Sequence, residues 1–397
     1  MKKISVLMPT YNDSKTIMEA MDSIVSQSYD NWELMVIDDG SSDETKDIVN
    51  NYIKDNKLSK KVKYIYQDNA DQLKALINGM QYITGDYVYI LHSDDILASN
   101  DVFEKSVNYL DSNEDVDAIM SDLIIIDKDS KEIGRQNTLA YTKKDKIPAI
   151  MLLWLGRNLY MDMSFFRKDV FVKNVYNNYL IWNRPYWLNI DDNGVTMLNV
   201  KKVDFVFFKY RISDSNYANN EIGKLCLING ELRTALFLMK FYNIPFYKGQ
   251  YLIFRFFSKL NLLKIYRPIY FKKETKNIDR ILDFIIKKRY PMGYEDNIFF
   301  QSLVSFFQNR GKRVVDFDKM YDGEEIYLGN SFRKFNKQLI NNELPNLYIK
   351  IFEETKQGFN ELVVSKKNEN KAINLMKFLC IYPYVKIVVR GSKNGKR

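Results

Sequence analysis

The segments ISVLMPTYN (residues 4–12), WELMVIDDGSSD (32–43) and YVYILHSDD (87–95) each begin with an apolar run and end in polar residues. A fourth apolar run covers residues 62–66, and each run is followed by a helix-like stretch. Helix starts are predicted after Ser14 and after Ser42 or Asp43. This alternation predicts an α/β fold with a mainly parallel sheet flanked by helices. Because such sheets bind ligands outside the carboxyl ends of their strands, the polar ends predict a site at one edge.

Length and patterning predict two domains. The 397 residues exceed what one small core needs, and 46% hydrophobic with 27% charged residues is typical of a folded globular protein. From residue 220 onward the apolar residues follow helical spacing. We therefore place a boundary near Asn219, between a domain of residues 1–219 and a mostly helical region of residues 220–397 that could serve membrane contact, acceptor binding or oligomerisation.

Composition excludes several classes of protein. Two cysteines, Cys226 and Cys380, are too few and too distant for a disulfide framework or a cysteine metal site, which fits a reducing cytoplasm. Apolar runs fall short of the roughly 20 residues that cross a bilayer, so any membrane contact is expected to be peripheral. The net charge of +9 suits nucleic acid, anionic lipid or phosphorylated substrates. We predict no nucleic-acid partner because no known binding motif occurs.

The turn after the first strand also argues against one familiar class. It reads Pro-Thr-Tyr-Asn at residues 9–12, whereas a nicotinamide-dependent dehydrogenase needs a glycine-rich turn there.

Two pairs of acids follow predicted strands. Asp94 and Asp95 suit a hard divalent cation that neutralises a leaving diphosphate, although adjacent acids also cap helices. Asp38 and Asp39 could accept hydrogen bonds from a base or ribose, or belong to an ordinary turn. Tyr11 could stack on a nucleobase, or only pack at the edge.

These segments, together with SIVSQSY at residues 23–29 and the block at residues 71–95, resemble glycosyltransferase family 2. The resemblance covers about the first hundred residues. It implies a GT-A fold, which is Rossmann-like, and a nucleoside-diphosphate-sugar donor carrying UDP. It also implies Mn²⁺ or Mg²⁺ and inversion at the anomeric carbon by direct displacement. The implied acceptor is a glycan or lipid-linked molecule of cell-surface polysaccharide synthesis, in the cytoplasm at the inner face of the cell membrane.

Carried over by position, the family motif assigns roles to individual residues. The implied metal ligands are Asp94 and Asp95. The implied contacts to the nucleotide-sugar are Pro9, Thr10, Tyr11, Asp38, Asp39, Gln72, Asn78, Ser93, Asp94 and Arg211. Gln72 and Asn78 could instead cap or pack, and Arg211 could form a surface ion pair. His92, the only histidine, stands where the family usually has Asp or Asn, and we expect it to be hydrogen-bonded scaffold rather than a metal or phosphate contact.

The general base is the weak point of the resemblance. The acid that the family uses falls on Asn183, and asparagine cannot accept a proton at neutral pH. Asp191 and Asp192 are therefore candidate catalytic residues, with a solvated turn as the other interpretation, and Asp162 is a further candidate. The remaining alternative is a catalytically impaired relative that binds a nucleotide-sugar or a partner subunit.

A basic and aromatic stretch at residues 251–273 fits either a bilayer interface or a packed helix whose lysines and arginines reach solvent. The first interpretation favours a lipid-linked acceptor. The sequence is compatible with an oligomer but does not specify one.

Overall fold

A computed structural model describes residues 1–136 except 71, residues 164–213 with gaps at 177–187, 192–193 and 198, and, with further gaps, residues 301–391. The chain divides into two compact units. Described residues up to 213 belong to the first unit, and those from 301 onward belong to the second. The predicted boundary near Asn219 and the stretch at residues 251–273 lie outside the described residues, so both stay predictions.

The first unit alternates strands and helices, as the apolar runs predicted. Its helices are α1 (Ile17–Val25), α2 (Thr45–Asp55), α3 (Gln72–Gly79), α4 (Val102–Asp111) and α5 (Lys168–Tyr176). Its strands are β1 (Ile4–Thr10), β2 (Trp32–Asp38), β3 (Val62–Tyr66), β4 (Tyr87–Ile90), β5 (Ile96–Leu97), β6 (Ala118–Met120), β7 (Leu123–Ile126), β8 (Glu132–Gln136), β9 (Ser164–Arg167), β10 (Leu188–Asp191), β11 (Gly194–Met197), β12 (Val200–Lys202) and β13 (Phe208–Arg211).

Seven of these strands form one sheet in the order β12-β6-β9-β4-β1-β2-β3. Strand β1 lies between β2 and β4 and is parallel to both. Within this sheet β9 alone runs antiparallel to its neighbours. The predicted α/β class with a mainly parallel sheet is confirmed, and the central position of β1 brings the ends of β2 and β4 to either side of it.

The central strands are buried along their whole length because both faces are covered. Every residue of β1 and β2 is buried. Helix α1 buries Ile17, Ala20, Met21 and Ile24, which recur at the spacing of one helical face. Rings fill the space beneath β4, where Tyr89 stacks on Phe165 with centroids 5.0 Å apart.

A second sheet in the first unit has the order β5-β13-β7-β8. Strand β13 is antiparallel to β5 and parallel to β7, while β7 and β8 form a hairpin. The short strand β5 directly follows the Asp94-Asp95 pair. The second sheet therefore holds in place the residues that directly follow Asp94 and Asp95.

The described part of the second unit contains α6 (Phe317–Met320), α7 (Asn346–Gln357) and α8 (Glu369–Phe378). It also contains β14 (Val314–Asp316), β15 (Glu361–Val364) and β16 (Lys386–Val389), which form a parallel three-stranded sheet that the helical periodicity did not predict. Among the described residues of either unit, no helix combines the length and the apolar character needed to cross a membrane.

Candidate active site

The polar ends of β1, β2 and β4 meet at one edge of the seven-stranded sheet. Neighbouring strands lie about 5 Å apart, so the ends of β2 and β4, on either side of β1, are about 10 Å apart. The backbone N–H of Asp39 donates to the Thr10 carbonyl oxygen over 2.9 Å, which ties the end of β2 to that of β1. The sequence prediction that these motifs share one edge is confirmed.

Asp13 joins the end of β4 to the end of β1. Its Oδ2 atom accepts hydrogen bonds from the hydroxyl of Ser93 at 2.5 Å and that of Thr10 at 3.1 Å. The same oxygen accepts the backbone N–H of Tyr11 over 3.1 Å. Ser93 also lies 3.2 Å from the carbonyl oxygen of Pro9. Sequence reasoning missed Asp13, whose only signal was its place directly after the Pro-Thr-Tyr-Asn turn.

Through these bonds, Pro9, Thr10 and Ser93 form the framework of the edge. Thr10 and Ser93 are almost fully buried, at 3% and 2% exposure. Tyr11 is different, since it is 38% exposed and follows the end of β1. Of these four predicted contacts, only Tyr11 presents a substantially exposed side chain at the edge.

The adjacent acids Asp38 and Asp39 have different surroundings. Asp38 is fully buried, and its two carboxylate oxygens accept the Tyr64 hydroxyl at 2.5 Å and the Ser41 backbone N–H at 2.7 Å. Burial and this bond to Asp38 raise the pKa of Tyr64. These bonds give Asp38 a framework role inside the sheet, and its predicted donor contact stays a prediction.

Asp39 is held by a set of amides. Its Oδ1 atom accepts the Gln67 side-chain amide at 2.7 Å and the Ala70 backbone N–H at 2.9 Å. The Asn78 amide in turn donates to Gln67 Oε1 over 2.9 Å. Asn78 thus acts on the site through Gln67, and Gln67 is a residue that sequence reasoning did not single out.

Gln72 and His92 form a polar pair beside the second acidic motif. The Nε2 atoms of the two side chains are 2.9 Å apart. This contact agrees with the expected hydrogen-bonded role of His92. Because His92 directly precedes Ser93, its contact with Gln72 also brings the first turn of α3 to the end of β4.

Asp94 is half-buried among charged neighbours. Burial raises the pKa of its carboxyl, His92 lowers it and Asp13 raises it again, and the net direction is upward. A divalent cation beside Asp94 would act in the opposite direction, because it favours the ionised carboxylate.

Asp95 is tied to Arg211. The carboxylate Oδ1 of Asp95 accepts the backbone N–H of Arg211 over 2.8 Å, and the Arg211 Nε–H donates to the Asp94 carbonyl oxygen over 2.7 Å. Arg211 is only 3% exposed, and its guanidinium is bonded to protein atoms. The ion pair with Glu19, which is 44% exposed, agrees with the alternative interpretation, although Arg211 itself is buried; the predicted diphosphate contact of Arg211 stays a prediction.

Asp94 and Asp95 fit a cation that is shared with the substrate. Among the residues that the structure describes, no group of three or more His, Cys, Asp or Glu side chains could hold a metal ion. Mg²⁺ in phosphate-transfer sites commonly uses one or two carboxylates plus substrate oxygens and water. Asp94 and Asp95 match that pattern as a pair.

Of the candidate catalytic residues, the structure describes only Asp191. Asn183, Asp192 and Asp162 lie outside the described residues. Asp191 is the last residue of β10, of which the backbone is described. The identity of the general base therefore stays a prediction.

Comparison with known proteins agrees with this arrangement. Residues 5–174 match the family described as Glycosyl transferase family 2. An uncharacterized glycosyltransferase of Rickettsia typhi is 27% identical over 300 residues, which are 72% of this chain and 89% of the relative. The UDP-Glc:alpha-D-GlcNAc-diphosphoundecaprenol beta-1,3-glucosyltransferase WfgD of Escherichia coli is 29% identical over 232 residues, 56% of this chain and 82% of WfgD.

Among solved structures, S. aureus TarS 1–349 in complex with UDP-GlcNAc is 14% identical with a TM-score of 0.44, covering 77% of this chain and 87% of that one. Residues 5–174 thus carry the sequence pattern of glycosyltransferase family 2, on the mainly parallel sheet described above. The protein is a glycosyltransferase.

Proposed function

We propose that this protein transfers a sugar, with inversion, from a UDP-sugar to a glycan or lipid-linked acceptor, using Mn²⁺ or Mg²⁺. One observation carries the proposal. Asp13 joins the end of β4, where the Asp94-Asp95 pair follows, to the end of β1, to which Asp39 is also bonded. One edge of the sheet thus offers a hydrogen-bond acceptor, Asp39, for the nucleoside. It also offers the carboxylates of Asp94 and Asp95 for the cation bound to the diphosphate.

The carboxylate of Asp39 supports a base that carries a ring N–H. An ionised carboxylate only accepts hydrogen bonds, so it suits the N3–H of uracil and does not suit the unprotonated N3 of cytosine. The exposed ring of Tyr11 offers a surface for the base. The name of the E. coli relative gives UDP-Glc as its donor, which also favours uridine.

Asp94 and Asp95 are the residues that would hold the cation, together with the diphosphate oxygens. A bound cation supplies stabilisation of the charge that builds on the leaving UDP. Ser93 and Asp13 hold the segment that leads into this pair.

For the transfer itself, the acceptor hydroxyl oxygen forms a bond to the anomeric carbon as the bond from that carbon to the diphosphate oxygen breaks. The electron pair of the broken bond leaves with UDP, and the hydroxyl proton passes to a carboxylate. Asp191 and Asp192 are the candidates for that base. Asp191 ends strand β10 within the same unit as the donor site.

We place the reaction in the cytoplasm, at the inner face of the membrane, in the synthesis of a cell-surface polysaccharide. The E. coli relative is named for a diphosphoundecaprenol-linked acceptor, which favours a lipid-linked acceptor here. The net charge of +9 favours peripheral contact with anionic lipid.

The test combines binding and turnover. Calorimetry should show UDP binding that strengthens with Mn²⁺, and hydrolysis or transfer of UDP-sugars should be lost in Asp95→Ala. Absence of UDP binding by the wild-type protein would refute the donor assignment. Binding without turnover across a broad acceptor panel would support the impaired relative that Asn183 suggests.

A further inference from the structure

A buried guanidinium group, that of Arg211, contacts the Asp94-Asp95 motif from inside the protein. The side chain of Arg211 is 3% exposed and pairs with Glu19 of α1, whose Oε2 lies 2.5 Å from Nη2. Glu19 is itself 44% exposed, so the pair reaches from the protein surface to the motif. The two residues are 192 positions apart in the chain, so their contact could not be predicted from local patterns.

Arg211 makes two contacts to consecutive residues of the motif. Its backbone N–H binds the Asp95 carboxylate over 2.8 Å, and its Nε–H binds the Asp94 carbonyl oxygen over 2.7 Å. These bonds constrain both the backbone that carries Asp94 and the side-chain orientation of Asp95. Small shifts of this segment would therefore move the carboxylates relative to a bound diphosphate.

The other nitrogens of the guanidinium are anchored to two separate elements. Nη1 donates to Ser130 Oγ at 2.9 Å and lies 3.2 Å from the Asp127 carbonyl oxygen in the β7–β8 turn. The Ser130 hydroxyl lies 2.7 Å from Glu19 Oε1, so Glu19, Ser130 and Arg211 form a closed triangle. Ser130 has a φ of 63°, a left-handed conformation that the turn imposes.

We propose that Arg211 is a positioning residue for the cation site, and that Glu19 and Ser130 set its orientation. This inference rests on the proposed function, since it concerns the same Asp94-Asp95 pair. A guanidinium is suited to the task because its planar, fixed fork of donors binds three elements at once. A lysine could supply the charge but not these simultaneous contacts.

Glu19→Gln is the most informative change because Glu19 touches neither the motif nor the proposed ligand. It removes the charge that orients Arg211 and keeps a side chain of nearly the same shape. Outer-shell substitutions of this kind typically cost about 10-fold to 100-fold in metal affinity. We expect that loss in the Mn²⁺ dissociation constant measured by calorimetry at saturating UDP, and a smaller loss of UDP affinity without metal.

The matched control is Glu132→Gln. Glu132 pairs with Lys209 at 3.1 Å on β13, two residues before Arg211, and it is more exposed than Glu19. Because exposed ion pairs contribute little, we expect its Mn²⁺ affinity to stay within about twofold of the wild type. Arg211→Lys should retain the buried charge yet show the same weakening of Mn²⁺ binding as Glu19→Gln.

Thermal unfolding separates positioning from general stability. A merely structural pair would lower the melting temperature of Glu19→Gln without changing the Mn²⁺ dissociation constant of the folded protein, and that result would overturn the inference. If the wild type binds UDP with Mn²⁺, and Glu19→Gln and Arg211→Lys bind Mn²⁺ as tightly as the wild type, the positioning role of Arg211 is refuted and the proposed function stands. If the wild type binds no UDP in the presence of Mn²⁺, the proposed function fails and this inference fails with it. If Arg211→Lys does not fold, Glu19→Gln still decides.

Discussion

Replacing Asp39 with asparagine tests donor recognition with the least disturbance of the fold. Asparagine keeps one oxygen that can accept the Gln67 amide and the Ala70 N–H, which bind the present Oδ1 at 2.7 and 2.9 Å. The other carboxylate oxygen becomes an NH₂ group, and the negative charge is lost. The change therefore converts an acceptor into a donor at the point where a uracil N3–H is expected.

The expected loss follows from the charge of the acceptor. A hydrogen bond to a charged group contributes about 1.5–3 kcal/mol, and each 1.4 kcal/mol corresponds to a tenfold change in affinity. The UDP dissociation constant of Asp39→Asn should therefore rise about 10-fold to 150-fold. CDP should show a much smaller change, because the N3 atom of cytosine has no proton to donate.

The neighbouring residue provides the control. Asp38 is fully buried and accepts hydrogen bonds from Tyr64 and Ser41, so Asp38→Asn places an amide donor against one of these donors. We expect a loss of about 1–3 kcal/mol in stability, or roughly 2–10 °C in melting temperature. Calorimetry with UDP and thermal unfolding should be run on both variants. Unchanged UDP affinity in a well-folded Asp39→Asn protein would refute the assignment of Asp39 to the base.

Three further changes test other parts of the molecule. Asp95→Ala should weaken Mn²⁺-dependent UDP binding at least about 10-fold, and an unchanged Mn²⁺ requirement would contradict the cation assignment. Glu33 lies at the opposite end of the sheet, where burial would raise the pKa of its carboxyl but hydrogen bonds from Lys3, Ser5 and Thr84 lower it overall. Because its folded pKa lies below the unfolded value of about 4.3, its contribution is present above that pH and is lost as the pH falls through the folded pKa. Glu33→Gln should therefore unfold at a lower denaturant concentration than the wild type at pH 7, and a gap that does not narrow as the pH falls below about 4 would contradict this. Gly85→Ala would place Cβ 2.7 Å from the Lys3 carbonyl oxygen, so its melting temperature should fall, whereas an unchanged one would show that the backbone yields.

Much of the first unit could be predicted because its signals are local. The run at residues 62–66 coincides with β3, and the run at residues 4–8 falls short of the end of β1 by two residues. Asp43, predicted as a start signal for α2, accepts the Thr45 backbone N–H over 3.0 Å. Strands that are buried on both faces read as apolar runs, and their polar ends mark the binding edge.

The parts that could not be predicted depend on contacts between distant residues. The triangle of Glu19, Ser130 and Arg211 joins three elements that periodicity treats separately. The sheet of β14, β15 and β16 has strands of three or four residues, which are too short to stand out against the helical spacing around them. The family resemblance placed Arg211 among the donor contacts, whereas its burial and its bonds to Glu19 and Ser130 depend on the folded chain.

The two acidic pairs illustrate why motif membership does not assign a role. Asp38 accepts the Tyr64 hydroxyl, and Asp95 accepts the Arg211 backbone N–H. Their neighbours Asp39 and Asp94 are held differently, Asp39 by amides on Oδ1 and Asp94 in a half-buried position close to His92 and Asp13. A substitution of Asp39 or Asp94 is expected to remove a contact, whereas a substitution of Asp38 is expected to act through the stability of the strand end. A substitution of Asp95 would both remove a cation ligand and displace the segment, because the carboxylate that would hold the cation also accepts the bond from Arg211. Only a variant outside the motif, such as Glu19→Gln, can separate them, since it alters the placement of Asp95 and leaves its carboxylate intact.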